Sequence, residues 1–447
     1  MNTLHPSSAP PPKAAALRSF EAQWLARDAD SLSPLREEAM QRFLKLGLPT
    51  PRDESWRYTN LRRLAAQSFI DAPRTAAGHL EPAAYSRLLD AAPRVASVLM
   101  INGHPVLPAA MGAASEGVDI LSLRELARID AGLLARHLEP LSDAEDARFG
   151  LLNKALFLDG LYLKVKSRLP APLIVVHLAT ADGADTVAYP RIIVEASEGS
   201  RATIIEHHIR QGEHTPLSNS ATRIVLGPQA SIEHYRVFET GPDSSHIDSL
   251  EVCQARESEC RQFTVVLGGG LVRVALDAHL SQPGAQLESH SLLVGHDERH
   301  IDCVNVARHA APRTRSRQWA RSIASGASRV IFNSKVVVER GAAQAESQQS
   351  CRGLLLSPSA EIDSRPQLEI HADEVKCAHG ATTGRLDPQT LFYMLSRGLD
   401  RRTAQTLLVY AFLADVMTGM SVPSARSAIE NALIAQLPDS QLLNGFR

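Results

Sequence analysis

The sequence is poor in cysteine, in aromatic residues and in net charge. Its 447 residues include five cysteines and 5% aromatic residues, and its 47 basic side chains are nearly balanced by 49 acidic ones. A sparse and odd number of cysteines argues against a disulfide framework and favours reduced thiols. The balanced charge implies no polybasic surface of the kind that binds nucleic acid. We therefore expect no nucleic-acid partner.

Long apolar runs are absent as well. No stretch of the chain is apolar over the ~20 residues that a membrane-spanning helix needs. The first residues contain proline and serine but lack the apolar core of a secretory signal peptide, so we expect a frayed tail there. Together with the reduced thiols, these absences predict a cytoplasmic protein that makes no membrane contact.

The common catalytic motifs are missing from the sequence. There is no G-x-x-x-x-G-K-[ST] phosphate-binding loop, no H-E-x-x-H, no C-x-x-C and no G-x-S-x-G. The adjacent His207 and His208 would point to opposite faces of a strand, so we expect one core and one surface histidine and no jointly bound metal. Cys351 is expected to be a small packed thiol. None of these features indicates an enzyme.

The first third of the chain, residues 1–160, is predicted to be a mixed α/β domain. Helical spacing of apolar residues recurs at 13–46, which holds two helices, at 122–138 and at 143–157. Asn102-Gly103 between apolar flanks predicts a tight type I′ hairpin. Trp56 and Tyr58 lie among charged residues and are expected to anchor a loop against the helices.

Residues 161–378 contain many short β-rich runs separated by small or polar breaks. Breaks near residues 326, 341 and 358 follow at intervals of 15 and 17 residues, often with an alanine close by. Short strands with a weak repeat are typical of a solenoid, in which each turn buries its inner face on its neighbours. We therefore predict a right-handed parallel β-helix, a mainly β fold. A β-sandwich, with tighter hairpins, is the structural alternative.

The last part of the chain, residues 379–447, is predicted to be a helical domain. A short helix over 388–397 ends at Gly398, a longer one follows Asp400, and a third begins at Pro423. These helices have apolar stripes, which leaves two interpretations open. They either cap the open end of the solenoid or form a docking surface for a partner.

The junction between the solenoid and these helices contains a thiol and an imidazole two residues apart. In an extended chain, Cys377 and His379 project from the same face, just before the break at Gly380. Two donors do not complete a four-coordinate metal site. A full site would therefore need ligands from elsewhere in the chain or from another chain.

This junction also carries a family resemblance. The residues are Lys376-Cys377-Ala378-His379-Gly380-Ala381-Thr382, Gly384-Arg385, Phe392-Tyr393, Ser396-Arg397-Gly398, Ala404 and Tyr410-Ala411-Phe412, with Gly47-Leu48-Pro49 and Glu54-Ser55-Trp56-Arg57-Tyr58-Thr59 near the N-terminus. In this pattern the chain resembles the SufB/SufD family of iron–sulfur cluster assembly proteins. Its length and the missing N-terminal cysteine motif make it more similar to the SufD branch.

The resemblance implies a scaffold subunit with a β-helix core and helical flanks. It implies pairing with a SufB-like subunit through the β-helix ends and docking of a SufC-like ABC ATPase on the C-terminal helices. It also implies that the chain can form a homodimer when it is alone. ATP hydrolysis would then belong to SufC, so the chain itself is not expected to be an enzyme. No cofactor would be permanently bound; a transient iron–sulfur cluster or iron would form at the SufB interface.

The resemblance also assigns residues. His379 would be a metal ligand shared with SufB, and Cys377 is the neighbouring candidate ligand, because imidazole and thiolate both suit iron–sulfur ligation. The predicted partner-binding residues of the helical junction are Arg385, Phe392, Tyr393, Arg397 and Leu399.

Two other classes of function stay open. A purely architectural subunit would use Cys377 and His379 only for packing. Alternatively, parallel β-helices serve as acyltransferases, which carry a regular hexapeptide repeat, and as carbohydrate-cleaving enzymes, which need paired carboxylates. The sequence has no hexapeptide repeat, and Glu361 and Asp363 alternate without a third acid in register.

Overall fold

The computed structural model describes residues 14–74, 96–107, 117–140, 148–180, 185–212 and 216–436. The predicted N-terminal tail covers residues 1–17, of which 1–13 lie outside the described residues and 15–17 already belong to the first helix. The first part of the predicted helix over 143–157 also lies outside the described residues. The N-terminal elements are α1 (Ala15–Leu25), α2 (Ser33–Leu46), a short 3₁₀ helix (Glu54–Trp56), α3 (Arg62–Ala66), β1 (Ile70–Asp71), β2 (Ala96–Ile101), β3 (His104–Val106), β4 (Val118–Ser122), α4 (Leu123–Ile129), α5 (Ala131–Leu138) and α6 (Arg148–Leu156).

The predictions of two helices, of the hairpin and of the Trp56 anchor are confirmed in this N-terminal part, whereas the ring of the half-buried Tyr58 is centred 5.5 Å from the Arg329 guanidinium of the β-helix. The two helices expected over 13–46 are α1 and α2. The hairpin is formed by antiparallel β2 and β3, and Asn102 and Gly103 adopt the positive φ angles (50° and 86°) that a type I′ turn requires. Trp56 is buried and packs on Phe149 of α6, with 5.5 Å between ring centroids, so it anchors its loop against a helix as expected.

The remaining strands form the body of the protein. They are β5 (Leu161–Val165), β6 (Leu173–Thr180), β7 (Thr186–Ala188), β8 (Arg191–Ala196), β9 (Arg201–Gln211), β10 (Leu217–Leu226), β11 (Ser231–Glu239), β12 (Ser245–Gln254), β13 (Glu259–Val266), β14 (Leu271–Leu280), β15 (Gln286–Gly295), β16 (His300–His309), β17 (Arg315–Ala324), β18 (Arg329–Val338), β19 (Glu346–Leu355), β20 (Glu361–Ile370) and β21 (Lys376–Gly384).

These strands wind into a parallel β-helix of about seven turns. Sheet 1 runs in the order β20-β18-β16-β14-β12-β10-β8-β5-β4, and sheet 2 in the order β21-β19-β17-β15-β13-β11-β9-β6-β2-β3. From β8 onward, successive strands alternate between the two sheets, and from β10 onward each strand pairs in parallel with the strand two places earlier. This topology confirms the predicted β-helix. It excludes a β-sandwich, whose sheets are antiparallel.

From Gln229 onward, each turn of the β-helix has a corner where one residue adopts a left-handed backbone conformation. These residues are Gln229, Glu257, Gly284, Arg313, Gln344 and Glu374, with φ between 55° and 76°. Their intervals of 28, 27, 29, 31 and 30 residues give the length of one turn. The intervals of 15 and 17 residues in the sequence therefore separate successive corners, since every turn contains one strand of each sheet.

The C-terminal helices α7 (Pro388–Ser396), α8 (Arg401–Met417) and α9 (Pro423–Gln436) begin and end close to their predicted limits. They cover the side of the β-helix, because α8 packs on β15 and β17. Leu413 and Val409 join an apolar cluster with Tyr235 and Phe263 on the outer face of sheet 2. The interpretation that these helices cap the open end is therefore wrong. The helices bury the apolar outer face of sheet 2, and the last turn of the β-helix stays exposed or half-buried.

The predicted domain limits at residues 160/161 and 378/379 remain predictions. Strand β2 already pairs with β6 of sheet 2, and β21 continues to Gly384. The N-terminal helices share a separate apolar cluster with the outer face of sheet 1. Among the described residues, no helix has both the length and the apolar character needed to cross a bilayer.

One corner glycine gives a first testable prediction. Gly326 has a φ of 65°, and a Cβ atom placed there would lie 2.8 Å from the backbone nitrogen and oxygen of Asp297 in the turn below. Gly199 has nearly the same φ, 69°, with no atom within 4 Å of such a Cβ. Gly199→Ala should therefore cost about 1 kcal/mol of unfolding free energy from backbone strain alone. Gly326→Ala should cost about 1–3 kcal/mol more from the added clash.

Urea unfolding of both variants, followed by circular dichroism, measures this difference. Equal unfolding midpoints would show that neighbouring turns are not packed at this corner as described.

Candidate functional site

The last turn of the β-helix is left open. Among the described residues, β20 pairs only with β18, and β21 only with β19, so one edge of each strand has free backbone groups. The inward side chains show the same opening. Val330 and Phe332 of β18 are buried, whereas their neighbours in register on β20, Ile362 and Ser364, are only half-buried. Unpaired strand edges are sites where another chain can add a strand.

Cys377 and His379 lie on this open edge. On β21 they are in register with Ser347 and Gln349 of β19, both of which point into the β-helix and are buried. The Cys377 and His379 side chains therefore share the inner face of a turn that nothing in the described chain covers. Cys377 is half-buried against the inner apolar core, and His379 is exposed. Both polar atoms of the Gln349 side chain lack a hydrogen-bond partner among the described residues.

The chemistry of this pair is that of an incomplete metal site. Burial raises the pKa of Cys377, although a hydrogen bond with the Ser347 backbone acts in the opposite direction. The isolated thiol is therefore mainly protonated at neutral pH, and a metal ion would have to displace its proton. Within the described part of the chain, Cys377 and His379 do not form a group of three with another histidine, cysteine, aspartate or glutamate.

All three carboxylates of β20 are already engaged, and the first of them, Glu361, lies 3.2 Å from the Arg329 guanidinium. Glu369 binds His371 at 2.9 Å and Lys335 at 3.0 Å. Asp363 accepts hydrogen bonds from Arg329 at 2.8 Å and 3.0 Å. These ion pairs leave no free pair of acids along β20 of the kind that a carbohydrate-cleaving β-helix would use.

The predicted partner-binding residues lie around α7, immediately after β21. Phe392 is 72% exposed and Tyr393 is 58% exposed, which makes them unusual among the large apolar side chains of the described residues. The Arg397 guanidinium lies 5.1 Å from the centre of the Tyr393 ring. Arg385 is exposed and Leu399 is half-buried. An exposed aromatic pair beside arginine has the composition of a protein-binding surface.

The other cysteine and histidine predictions have mixed outcomes. Cys351 is buried in an inner apolar cluster and burial raises its pKa to about 11, so the prediction of a packed thiol is confirmed. His207 and His208 do point to opposite faces of β9. However, both are buried, and the expectation of one surface histidine is wrong because the outer face of sheet 2 is packed as well.

Sequence reasoning missed a polar cluster inside the first turns of the β-helix. Glu206 and His208 are two residues apart on β9 and point inward, where His177 of β6 meets them in register. The i, i+2 spacing of Glu206 and His208 was a visible signal. Nothing in the sequence indicated that His177 joins this cluster, because only the pairing of β6 with β9 brings His177 next to His208.

Comparisons with known proteins agree with this architecture. The chain matches the SUF system FeS cluster assembly SufBD core domain over residues 177–412 and the SufBD protein N-terminal region over residues 18–171. It is 28% identical to the iron–sulfur cluster assembly protein SufD of Escherichia coli over 94% of this chain and 95% of that protein. It is 27% identical to an iron–sulfur cluster assembly SufBD family protein of Synechocystis over 89% of both chains. With SufD of Bacillus subtilis it shares 22% identity over 65% of this chain and 67% of that protein.

Proposed function

The chain belongs to the SufBD family of iron–sulfur cluster assembly proteins and is SufD-like, and on this premise we propose that it is a non-catalytic scaffold subunit. In this proposal its open β-helix end pairs with a SufB-like subunit, and a nascent cluster is built and passed on at the shared interface. The cluster is cargo and is not a resident cofactor of this chain. The proposal places the protein in the cytoplasm.

The observation that carries this proposal is the unfinished last turn. A second β-helix edge that adds to β20 and β21 would satisfy their free backbone groups and cover the half-buried inner side chains. The same contact would bring new ligands to Cys377 and His379. Because the two residues offer one sulfur and one nitrogen donor, a complete site needs the partner.

The second part of the proposal concerns a SufC-like ATPase. The chain has no phosphate-binding loop, so ATP hydrolysis would take place on another subunit. The exposed Phe392 and Tyr393, with Arg385, Arg397 and Leu399 beside them, form the surface on which we place that subunit. Because α7 follows β21 after three residues, the surface on which we place the ATPase is adjacent in the chain to the proposed metal-binding edge.

Replacement of His379 tests the proposal. When the chain is co-expressed with the SufB-like and SufC-like proteins of its own organism, we expect a stable complex that assembles clusters from iron and a sulfur source. His379→Ala should reduce the clusters assembled by about tenfold or more, because a lost ligand lowers metal affinity at least as much as a lost outer-shell partner. The complex itself should persist, since His379 is exposed and contributes little to packing. Anaerobic iron and sulfide analysis after gel filtration measures both results.

His371→Ala is the matched control for this experiment. His371 is an exposed histidine at the same end of the β-helix and pairs with Glu369. Its replacement should leave cluster assembly unchanged. If His379→Ala assembled clusters as the unmodified complex does, the ligand role would be refuted and a purely architectural subunit would remain. If no complex formed with either partner, the scaffold proposal itself would fail.

A further inference from the structure

A second group of metal-ligating side chains lies deep inside the β-helix, far along the chain from Cys377 and His379. It consists of His177 on β6 and of Glu206 and His208 on β9, which are 6%, 1% and 2% exposed. His177 and His208 occupy paired positions on neighbouring strands, and Glu206 shares the inner face of β9 with His208. The fold therefore brings two imidazoles and one carboxylate together without a loop.

The distances in this group match those between ligands of one metal ion. His177 Nε2 lies 2.9 Å from Glu206 Oε2, and His208 Nε2 lies 3.8 Å from the same oxygen. One potential ligand atom from each of the three residues lies within 4.8 Å of the others. Donors bound at about 2.1 Å around a tetrahedral ion are separated by about 3.4 Å. These separations suit one ion, but the His177 and His208 rings stack nearly parallel, with 4.1 Å between centroids and 5° between planes, so one imidazole must turn out of the stack to direct its nitrogen at a shared ion.

His208 has no structural role that requires an imidazole. Its ring stacks between His177, at 4.1 Å, and Phe238, at 4.6 Å, so its packing is that of an aromatic ring. Neither of its ring nitrogens has a hydrogen-bond partner among the described residues. A buried polar group without a partner costs about 1–3 kcal/mol, and a phenylalanine in the same stack would avoid that cost. The unpartnered nitrogens therefore point to a ligand.

The Glu206 carboxylate is held in a fixed orientation by its neighbours. The Thr222 hydroxyl donates a hydrogen bond to Glu206 Oε1 at 3.0 Å. The His234 contact, at 2.7 Å, also orients that carboxylate, as partners of metal ligands do.

There is also space for an ion beside these side chains. A cavity of about 20 Å³ is lined by His177, His208 and His246, and its wall extends to the half-buried Arg210. A volume of this size holds one water-sized particle. An ion in the group could therefore carry a water ligand on the cavity side.

We propose that His177, Glu206 and His208 form a binding site for one divalent first-row transition-metal ion, Fe²⁺ or an ion of similar size and softness. Two histidines and one carboxylate with open positions are the ligand set of mononuclear iron(II) sites, and imidazole nitrogen also suits Zn²⁺ and Co²⁺. This site is independent of the partner interface, because all three ligands come from one chain and are buried within it.

Metal titration of the untagged full-length chain tests the site. Cys377→Ala and His379→Ala are introduced first, so that the open edge cannot contribute ligands. After treatment with a chelator, this protein is titrated anaerobically with Fe²⁺ and separately with Co²⁺, and the metal that remains after desalting is determined. We expect about one ion per chain. The Co²⁺ form should show the visible absorption of a nitrogen- and oxygen-ligated ion without a thiolate charge-transfer band.

His208→Phe in the same background is the decisive variant. It keeps the aromatic stack and removes both unpartnered nitrogens, so the protein should remain folded with an unfolding midpoint at least as high. Metal retention should fall at least about tenfold, the lower end of the loss seen when metal sites are perturbed. His290→Phe is the matched control, because His290 also stacks on a phenylalanine, Phe263, at 4.7 Å but is not part of the group of His177, Glu206 and His208.

Three results would overturn the proposal. They are no metal retained by the starting protein, unchanged retention in His208→Phe, or equal losses in His208→Phe and His290→Phe. If His208→Phe did not fold, X-ray absorption of the Co²⁺ form of the starting protein would decide. Histidine scattering supports the site, and sulfur ligands or no imidazole would refute it.

Discussion

Trp56→Ala is expected to lower the free energy of unfolding by about 3–5 kcal/mol, the range for removal of a large aromatic side chain from a core. The Trp56 indole is almost fully buried between Phe149 of α6 and the Arg273 guanidinium, which lies 3.9 Å from the ring centre. Arg273 belongs to β14 in sheet 1 and also forms a buried ion pair with Asp302. Trp56 therefore links the N-terminal helices to the β-helix, and its loss would open a cavity at that contact.

The same contact contains buried polar partners. Thr59 Oγ1 donates a hydrogen bond to Asp302 Oδ2 at 2.5 Å and contacts His300 Nε2 at 2.9 Å. If the indole is removed, water can reach the Arg273–Asp302 pair and weaken it. We therefore expect the N-terminal helices to separate from the β-helix at lower urea concentration than the rest of the protein unfolds.

Trp24→Ala is the control for Trp56→Ala. Trp24 is only partly buried, at the edge of the N-terminal apolar cluster, so its removal should cost clearly less than removal of Trp56. Urea unfolding, monitored by circular dichroism and by hydrogen exchange of the N-terminal helices, distinguishes the two variants. Equal losses of stability would refute the central position of Trp56.

Asp248→Ala should lower the free energy of unfolding by about as much as Trp56→Ala, but for a different reason. Asp248 on β12 forms an ion pair with Arg236 on β11, and both side chains are fully buried inside the β-helix. Removal of the carboxylate would leave the Arg236 guanidinium charged and without its counter-ion in the interior. Breaking one partner of such a buried pair costs about 3–5 kcal/mol.

Two companion variants test that explanation. Asp248→Asn retains an oxygen that accepts a hydrogen bond from Arg236, so it should cost less than alanine. The double variant Arg236→Met with Asp248→Leu removes both charges and should also be more stable than Asp248→Ala, because the desolvated charge is gone. The unfolding midpoint in urea, measured after chelator treatment, ranks the four proteins.

Asp119→Ala serves as the control for an exposed ion pair. Asp119 binds Lys166 at 2.7 Å with both side chains well exposed. Its loss should change the free energy of unfolding by less than about 1 kcal/mol. If the double variant Arg236→Met with Asp248→Leu were as unstable as Asp248→Ala, the loss of unfolding free energy in Asp248→Ala could not come from an unpaired buried charge.

The sequence was sufficient for features that depend on neighbouring residues. Helix α8 begins after Asp400, whose carboxylate accepts hydrogen bonds from the Arg402 and Thr403 backbone, and α7 begins in the same way after Asp387. The Asn102-Gly103 hairpin needs only two residues that tolerate positive φ. The shared face of Cys377 and His379 follows from strand geometry alone, and short strands with regular breaks were enough to indicate the solenoid.

Features that depend on which strands become neighbours required the tertiary structure. The sequence shows intervals of 15 and 17 residues between corners, about half of the number of residues in one turn of the β-helix. The reason is that each turn contains two strands, and the corners that follow them are similar in composition. The position of the C-terminal helices was decided by the apolar outer face of sheet 2, which includes Tyr235 and Phe263. His207 is buried for the same reason. Its side chain points to the outer face of sheet 2, and that face is packed against other residues.

The family, the β-helix class and the two donors at Cys377 and His379 can all be read from the amino-acid sequence. That this edge stays open, and that His177 joins Glu206 and His208 in the interior, is seen only in the folded chain. Local conformation depends on residues a few positions apart. Burial and ligand geometry depend on the register between strands that are about 30 residues apart in the chain.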